Sequence, residues 1–468
     1  MRRRAALVAV TAVTAVTALS GCLGQPQSAD SSRNADAKEV SLTITGNAVA
    51  GGKNSAKAGW VTDWVIPRFV EEQKRKGVTA TVRFEGNGAG DEDYKTKIAL
   101  DLKTGGGADI MAVDGIWVGE FAGGKQIRSL DEIVGKDKVD AWEGWKQIPQ
   151  AVQSVGVFEN KRYGVPDGTD GRVLFYNKKL FAQAGLPATW QPRSWDELLS
   201  AGEALKKLPG VTPIQLNAGT AMGEATTMQG LLPLLVGTGK PLLANGKWQG
   251  ATSNLKDVLG LYQRVYGGGG LGDPLLQQEA KGRDKSFAQF AENKIGIMLE
   301  SDYLWRSVLE PTKGAVKMAD RDSSVGWAMI PAQRPGAGVR GQDFVSMSGG
   351  AINLINSNTK FPVQAWELLQ FMNSAEAVKA RLGGAAQVTQ RTDVNNEVLA
   401  GDAMLSFIAQ KVLPLTEYRP GVANYTRVSA ALQQATADVV SGKTAQEALN
   451  AYQEALKKIV GENEIVTG

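Results

Sequence analysis

The 468-residue sequence contains no histidine. That absence removes Ser-His-Asp and Cys-His nucleophilic sites, histidine general bases and His-ligated zinc together. It also leaves no side chain whose ordinary pKa lies between pH 5 and 8, so ligand binding is expected to be nearly flat over that range. The single cysteine, Cys22, excludes an intrachain disulfide and a Cys-cluster metal site. Neither a metal nor a cofactor is therefore expected. There is little net charge: 52 Lys and Arg against 48 Asp and Glu leave +4, and three of those charges are Arg2, Arg3 and Arg4. Without the basic surplus of a nucleic-acid binder, no nucleic-acid partner is expected. Hydrophobic residues at 43% and charged residues at 21% are ordinary for a globular chain. Tryptophan is abundant, with 11 copies, and offers a flat apolar face with one donor.

The N-terminus reads as an address. Arg2 to Arg4 form a positive cluster before a small-apolar stretch, residues 5–18, too short to be a permanent membrane helix. It ends in Leu19-Ser20-Gly21-Cys22, which resembles the bacterial lipobox. The expectation is a signal peptide over 1–21 and lipidation at Cys22, which places the protein at the extracellular face of the cell membrane. Residues 22–38 are polar and lack an apolar period, as a flexible spacer would.

Strands and helices alternate after the spacer. Val40, Leu42 and Ile44 alternate with polar residues, predicting a strand. Helical spacing of Trp60, Val61, Trp64, Val65 and Phe69 predicts a helix, which Pro67 should kink or begin. Strands are predicted at 78–84 and 109–113, around a helix at 91–103. This order argues for a parallel sheet flanked by helices. The same grammar returns, with strands at 172–176, 213–216, 295–299 and 351–355. Ser194…Glu197 and Thr444…Glu447 are capping-box patterns opening two of the later helices. The fold class is α/β, with two lobes.

Several catalytic motifs fail on context. Gly267, Gly269 and Gly272 match a dinucleotide fingerprint, but a helix precedes them where a strand is needed. Gly237-Thr238-Gly239-Lys240 is followed by Pro241 where a phosphate-binding loop needs Ser or Thr. Ser357…Lys360 and Lys103-Thr104-Gly105 stand in the reverse order of a serine β-lactamase.

Other stretches carry a resemblance. Asp109 to Asp114, then Trp117, Glu120-Phe121-Ala122 and Leu130-Asp131 form one. Tyr163-Gly164-Val165-Pro166, with Leu174 to Asn177 and Ala184-Gly185-Leu186, form another. Phe290 to Met298, Ser348-Gly349-Gly350 through Ala365-Trp366-Glu367-Leu368, and Arg419-Pro420 complete the series. In this order they resemble the extracellular solute-binding proteins of bacterial ABC importers, in the carbohydrate-binding lipoprotein group. Asn293 stands where that pattern has a glycine, a replacement that a left-handed turn tolerates.

The resemblance implies a two-lobed periplasmic-binding-protein-like fold, each lobe a sheet flanked by helices, with a ligand cleft between them. The first lobe would be 39–166 plus 346–392, and the second 167–345 plus 393–468. The chain would be a monomer and not an enzyme, delivering sugar to the permease subunits of a transporter. The segment around Asp114 and Trp117, with Arg419-Pro420, is most similar to trehalose- and maltose-type binders, which points to an α-glucose disaccharide. A lipid-anchored carbohydrate-active enzyme and a binder of a non-sugar solute stay open as alternatives.

The candidate ligand residues follow strand ends or sit at lobe crossings. They are Asn47, Asp114, Trp117, Asp170 and Asn217, one of Tyr303 and Trp305 as a stacking face, Gly349 and Gly350 for close backbone approach, and Arg419 as a hydroxyl clamp; Glu300 is a weaker polar candidate. Trp60, Trp64 and Trp366 lie on apolar stripes and are expected in the core.

Overall fold

Alternating burial along residues 39–46 sets the first strand, with Val40, Leu42 and Ile44 inward. The computed structural model describes residues 31–52 and 54–468. In chain order the principal strands begin with β1 (Glu39–Gly46), β2 (Thr79–Gly86), β3 (Ile110–Asp114) and β4 (Gly164–Pro166). They continue with β5 (Arg172–Asn177), β6 (Thr212–Gln215), β7 (Ile295–Ser301) and β8 (Val325–Ala328). The last three are β9 (Phe344–Ser348), β10 (Ala351–Ile355) and β11 (Thr416–Tyr418).

Two main sheets result. The first has the order β2-β1-β3-β10-β4 and the second β8-β5-β7-β6. In the first sheet β1, β2 and β3 pair parallel, β10 pairs antiparallel to both β3 and β4, and β4 therefore runs in the same direction as β1 to β3. In the second sheet β6 and β7 are parallel, whereas β5 is antiparallel to β7 and β8. The predicted parallel grammar thus holds for the sequence-adjacent units and breaks at strands that enter directly from the other sheet.

The helices form where the periodicity places them. A helical stretch over residues 55–75 widens into a π-helical turn at Trp60–Val65, immediately before Pro67, where the wider turn accommodates the proline's missing N–H. Thr444 and Glu447 form the full reciprocal capping box of the last long helix, Ala445–Val460. At Ser194 only half of the box forms: its hydroxyl accepts from the Glu197 N–H, while Glu197 accepts from the Arg193 N–H. Asn293 sits at φ 59°, the left-handed conformation expected of it. Trp60 and Trp366 are buried, and the Trp60 indole donates to the Ala377 carbonyl.

The spacer expectation changes at its C-terminal end. Residues 31–36 form turns that dock on the helix Pro362–Met372: Asn34 Nδ2 donates to the Lys360 carbonyl, and Gln364 Nε2 donates to the carbonyls of Asn34 and Ala35.

Polar bonds knit the segments that pass between the sheets. The Ser346 hydroxyl donates to the Arg172 carbonyl and accepts from its N–H. The Ser348 hydroxyl donates to the Asp170 carbonyl and accepts from Thr416. β9 pairs parallel with β11, so three stretches distant in sequence meet at one place.

Candidate functional site

The strands of an open α/β sheet present ligand groups beyond their carboxyl ends. Here the ends of β1, β3 and β4 lead into Asn47, Asp114 and Asp167, and those of β6 and β7 into the segments carrying Glu224 and Arg306. The antiparallel strands β5 and β10 bring their starts to the same side, with Asp170, Arg172, Gly349 and Gly350. These residues line one cavity of about 670 Å³.

Seven of the ten expected ligand residues line that cavity: Asn47, Asp114, Trp117, Asp170, Gly349, Gly350 and Arg419. Asp114 does two things at once. Its Oδ1 accepts from the Ile116 N–H and caps the short turn Gly115–Trp117, and its Oδ2 lies 3.6 Å from the Arg419 guanidinium. Trp117 borders the cavity but is 6% exposed, packed against Tyr94 and Phe121 at centroid distances of 6.2 and 6.3 Å. Asp170 accepts from the Gly349 N–H at 2.7 Å and from the Arg172 guanidinium. The Gly350 carbonyl accepts from the Gly115 N–H at 3.0 Å.

The other three, and the weaker candidate Glu300, are placed elsewhere. Asn217 is buried behind the cavity, where its Nδ2 donates to Glu300. Glu300 is fully buried, and its carboxylate takes both Nε and Nη2 of Arg283, at 2.7 and 2.8 Å. Trp305 is a core residue: its indole donates to Asp402 at 2.9 Å, and Arg321 stacks on the ring 3.8 Å from its centroid. Tyr303 is 40% exposed and does not line the cavity, although cavity-lining Arg306 lies over its ring. The turn that follows β7 rotates Leu304, Trp305 and Val308 inward and leaves Tyr303 out.

The sequence reading missed five charged residues of the wall: Lys57, Asp167, Arg172, Glu224 and Arg306. Asp167 is buried between Lys57, at 2.5 Å, and Arg381. Burial pushes its carboxyl up, but the two cations outweigh that and hold it below the usual carboxylate range. Glu224 accepts from Arg419 at 3.3 Å, from Ser429 at 2.7 Å and from Tyr425. Burial lowers the Arg419 pKa, yet Asp114, Tyr425 and Glu224 together raise it, so the guanidinium stays charged. The one usable signal was position: Asp167 directly follows β4, and Glu224 stands in the segment after β6.

The expectation of flat pH behaviour rests on ordinary pKa values, and one buried carboxyl departs from its own. Asp302, at the end of β7, is fully buried, and burial reinforced by the Asp170 charge pushes its carboxyl up to about 7 against the pull of Arg306 and Arg172. Among the described residues, no group of three or more His, Cys, Asp or Glu is placed to hold a metal. No described helix is long and apolar enough to cross a membrane.

Two sheets flanked by helices, with a polar cavity at their facing ends, define a two-lobed solute-binding architecture. The chain belongs to the bacterial extracellular solute-binding protein family, whose model matches residues 58–379. A binding protein of Brucella abortus is 26% identical over 340 residues, 72% of this chain and 73% of the relative. Among solved structures, the sugar-binding protein MalE of Xanthomonas citri is similar at a TM-score of 0.71 and 17% identity, covering 90% of this chain and 98% of that one. The cyclic α-maltosyl-1,6-maltose binding protein of Arthrobacter globiformis reaches 0.66 at 18%, over 90% and 99%. A solute-binding protein of Thermotoga lettingae bound with α-D-tagatose reaches 0.63 at 23%, over 90% and 100%.

Proposed function

We propose that this protein captures an uncharged sugar, an oligosaccharide such as an α-glucose disaccharide, and delivers it to the permease of an ABC importer. The observation that carries the reading is the charge-matched wall. Lys57, Arg172, Arg306 and Arg419 line the cavity together with Asp114, Asp167, Asp170 and Glu224. Planar carboxylates and guanidiniums in balanced numbers suit hydroxyls, which both donate and accept. An anionic ligand would have to displace a carboxylate from its cation. Trp117 at the border supplies the apolar patch that a pyranose face requires. The sugar-binding structures named above support the reading by likeness of fold.

The lobes in this reading are 39–166 plus 346–392 and 167–345 plus 393–468, acting as a monomer tethered by lipid on Cys22, which lies outside the described residues. Of the expected ligand residues, Asn47, Asp114, Trp117, Asp170, Gly349, Gly350 and Arg419 form the contact set, with Tyr303 at its edge and Asn217 and Trp305 as supporting core. A thermal-shift panel of neutral mono- and disaccharides, glucuronate and amino acids tests this. Stabilisation by a neutral sugar is expected, about 2.7 kcal/mol at 100 times Kd, with the sugar recovered unchanged. Preference for a charged solute, or conversion of the sugar, would overturn the reading.

A further inference from the structure

A buried carboxyl stands behind the cavity wall, outside the hydrogen bonds of the site. The Asp302 N–H donates to the Gly171 carbonyl, which fixes the residue where the crossing chain meets the end of β7. Its side chain is fully buried, and neither carboxyl oxygen accepts a hydrogen bond among the described residues. An unpartnered buried carboxylate is costly unless a nearby charge compensates it. The nearest cation is Arg306, four residues on, with its Nε 3.4 Å from Asp302 Oδ2. That is an ion-pair distance without hydrogen-bond geometry, and the Arg306 Nε has no other partner. Nη1 of the same guanidinium donates to Ser307, and Arg306 lines the cavity.

The charges facing Asp302 come from two elements. Arg306 is on its own turn, while Asp170 and Arg172 come from the start of β5 and the chain before it. Arg172 is engaged with Asp170 and the Met347 carbonyl, so its charge is largely committed. The Tyr418 phenol of β11 faces Asp170 and Arg172, and burial pushes its pKa up, so it adds no charge to this group. Among the described residues Arg306 is the one cation within ion-pair distance of Asp302.

We propose that Asp302 is a positioning residue for ligand binding: ionised, it holds Arg306 by its Nε edge, leaving the other guanidinium N–H groups to meet ligand hydroxyls. The inference rests on the sugar-binding reading. Protonated, Asp302 no longer attracts Arg306, and the guanidinium loses its fixed placement in the wall. Burial pushes the carboxyl up to about 7, which places the switch in the neutral range. Ligand favours the ionised form, so affinity falls as pH drops through 7.

Two measurements test the proposal, on wild type and Asp302→Asn, which keeps the shape and removes the charge. Calorimetry with maltose and trehalose at pH 8.5, 7.0 and 5.5 should show wild-type affinity weakening about tenfold toward pH 5.5, as a one-unit pKa drop on binding gives. The Asn variant should be flat and equal to wild type at pH 5.5. A flat wild type, a pH dependence that persists in the variant, or a variant weaker than wild type at pH 5.5 as well would overturn the proposal. In the ligand-free protein, the Arg306 Nε–H resonance should titrate near pH 7 in wild type and stay fixed in Asp302→Asn. A resonance that does not move overturns the proposal whatever the ligand. A resonance that titrates in a protein binding neither sugar would instead remove these disaccharides from the reading while supporting the Asp302–Arg306 coupling.

Discussion

Gly119 and Gly421 meet backbone to backbone: a Cβ built on Gly119 would overlap the Gly421 carbonyl oxygen. Gly421 stands two residues after Arg419, so this contact seats the arginine segment against the turn that follows Asp114. Gly119→Ala should push that segment away, widening the Arg419–Asp114 distance. Overpacking of this kind costs about 1–3 kcal/mol. A lowered melting temperature together with weakened sugar affinity is expected; if both stay at wild-type values, the contact is not a constraint.

Trp117→Ala separates ligand stacking from core packing. The ring is nearly buried against Tyr94 and Phe121, so the ligand-free protein should lose about 3–5 kcal/mol in denaturant melts. Its place on the cavity border adds a loss of affinity, read by calorimetry under conditions where the variant is folded. Unchanged apo stability would contradict the packing described here, and unchanged affinity would remove Trp117 from the contact set.

Arg419 is shared between Asp114 and Glu224 across the cavity. Lysine keeps the charge but loses the planar fork. Arg419→Lys should therefore weaken sugar binding roughly 10- to 150-fold, the range for charge-assisted hydrogen bonds of about 1.5–3 kcal/mol. Glu224→Gln should weaken it less, because Asp114 still attracts the guanidinium. Equal losses in the two variants would mean that Glu224 contacts the sugar itself.

Two buried acids should shift stability with pH in opposite directions. Asp167 is held below the usual carboxylate range, so its contribution is present above about pH 4 and lost as pH falls further. Asp167→Asn should cost about 3–5 kcal/mol at pH 7, leaving Lys57 and Arg381 without their partner, and less at pH 3. Asp302 is raised to about 7, so the folded state holds its proton more tightly than the unfolded chain does, and stability falls as pH rises from about 4 to 7. Asp302→Asn should accordingly be the more stable protein at pH 8 by about 1–3 kcal/mol, and equal to wild type at pH 4. Urea melts across pH 3–8 read both effects; a fixed difference at every pH would contradict them.

Cys22→Ser tests the anchor. If Cys22 carries the lipid, the variant should leave the detergent phase and appear in the soluble or uncleaved fraction. Unchanged detergent partitioning would remove the lipoprotein reading.

The sequence by itself determined the elements and where many of them end. Alternation at Val40, Leu42 and Ile44 and capping at Thr444 are local, so they survive into the fold unchanged. Strand ends are local too, which is why Asn47, Asp114 and Asp170 could be named from pattern and resemblance. Which side chains share the cavity is a different kind of question. The carboxylate of Asp167 meets cations 110 and 214 positions away, and nothing in its neighbours announces either. Tyr303 and Trp305 are two residues apart and equally aromatic. Only the packed structure separates them, because Asp402, 97 positions later, takes the Trp305 indole N–H into the core. Asp302 is an ordinary acid in sequence. Folding strips its water and sets the Asp170 charge nearby, which pushes the carboxyl up, and Arg306 offsets only part of that push.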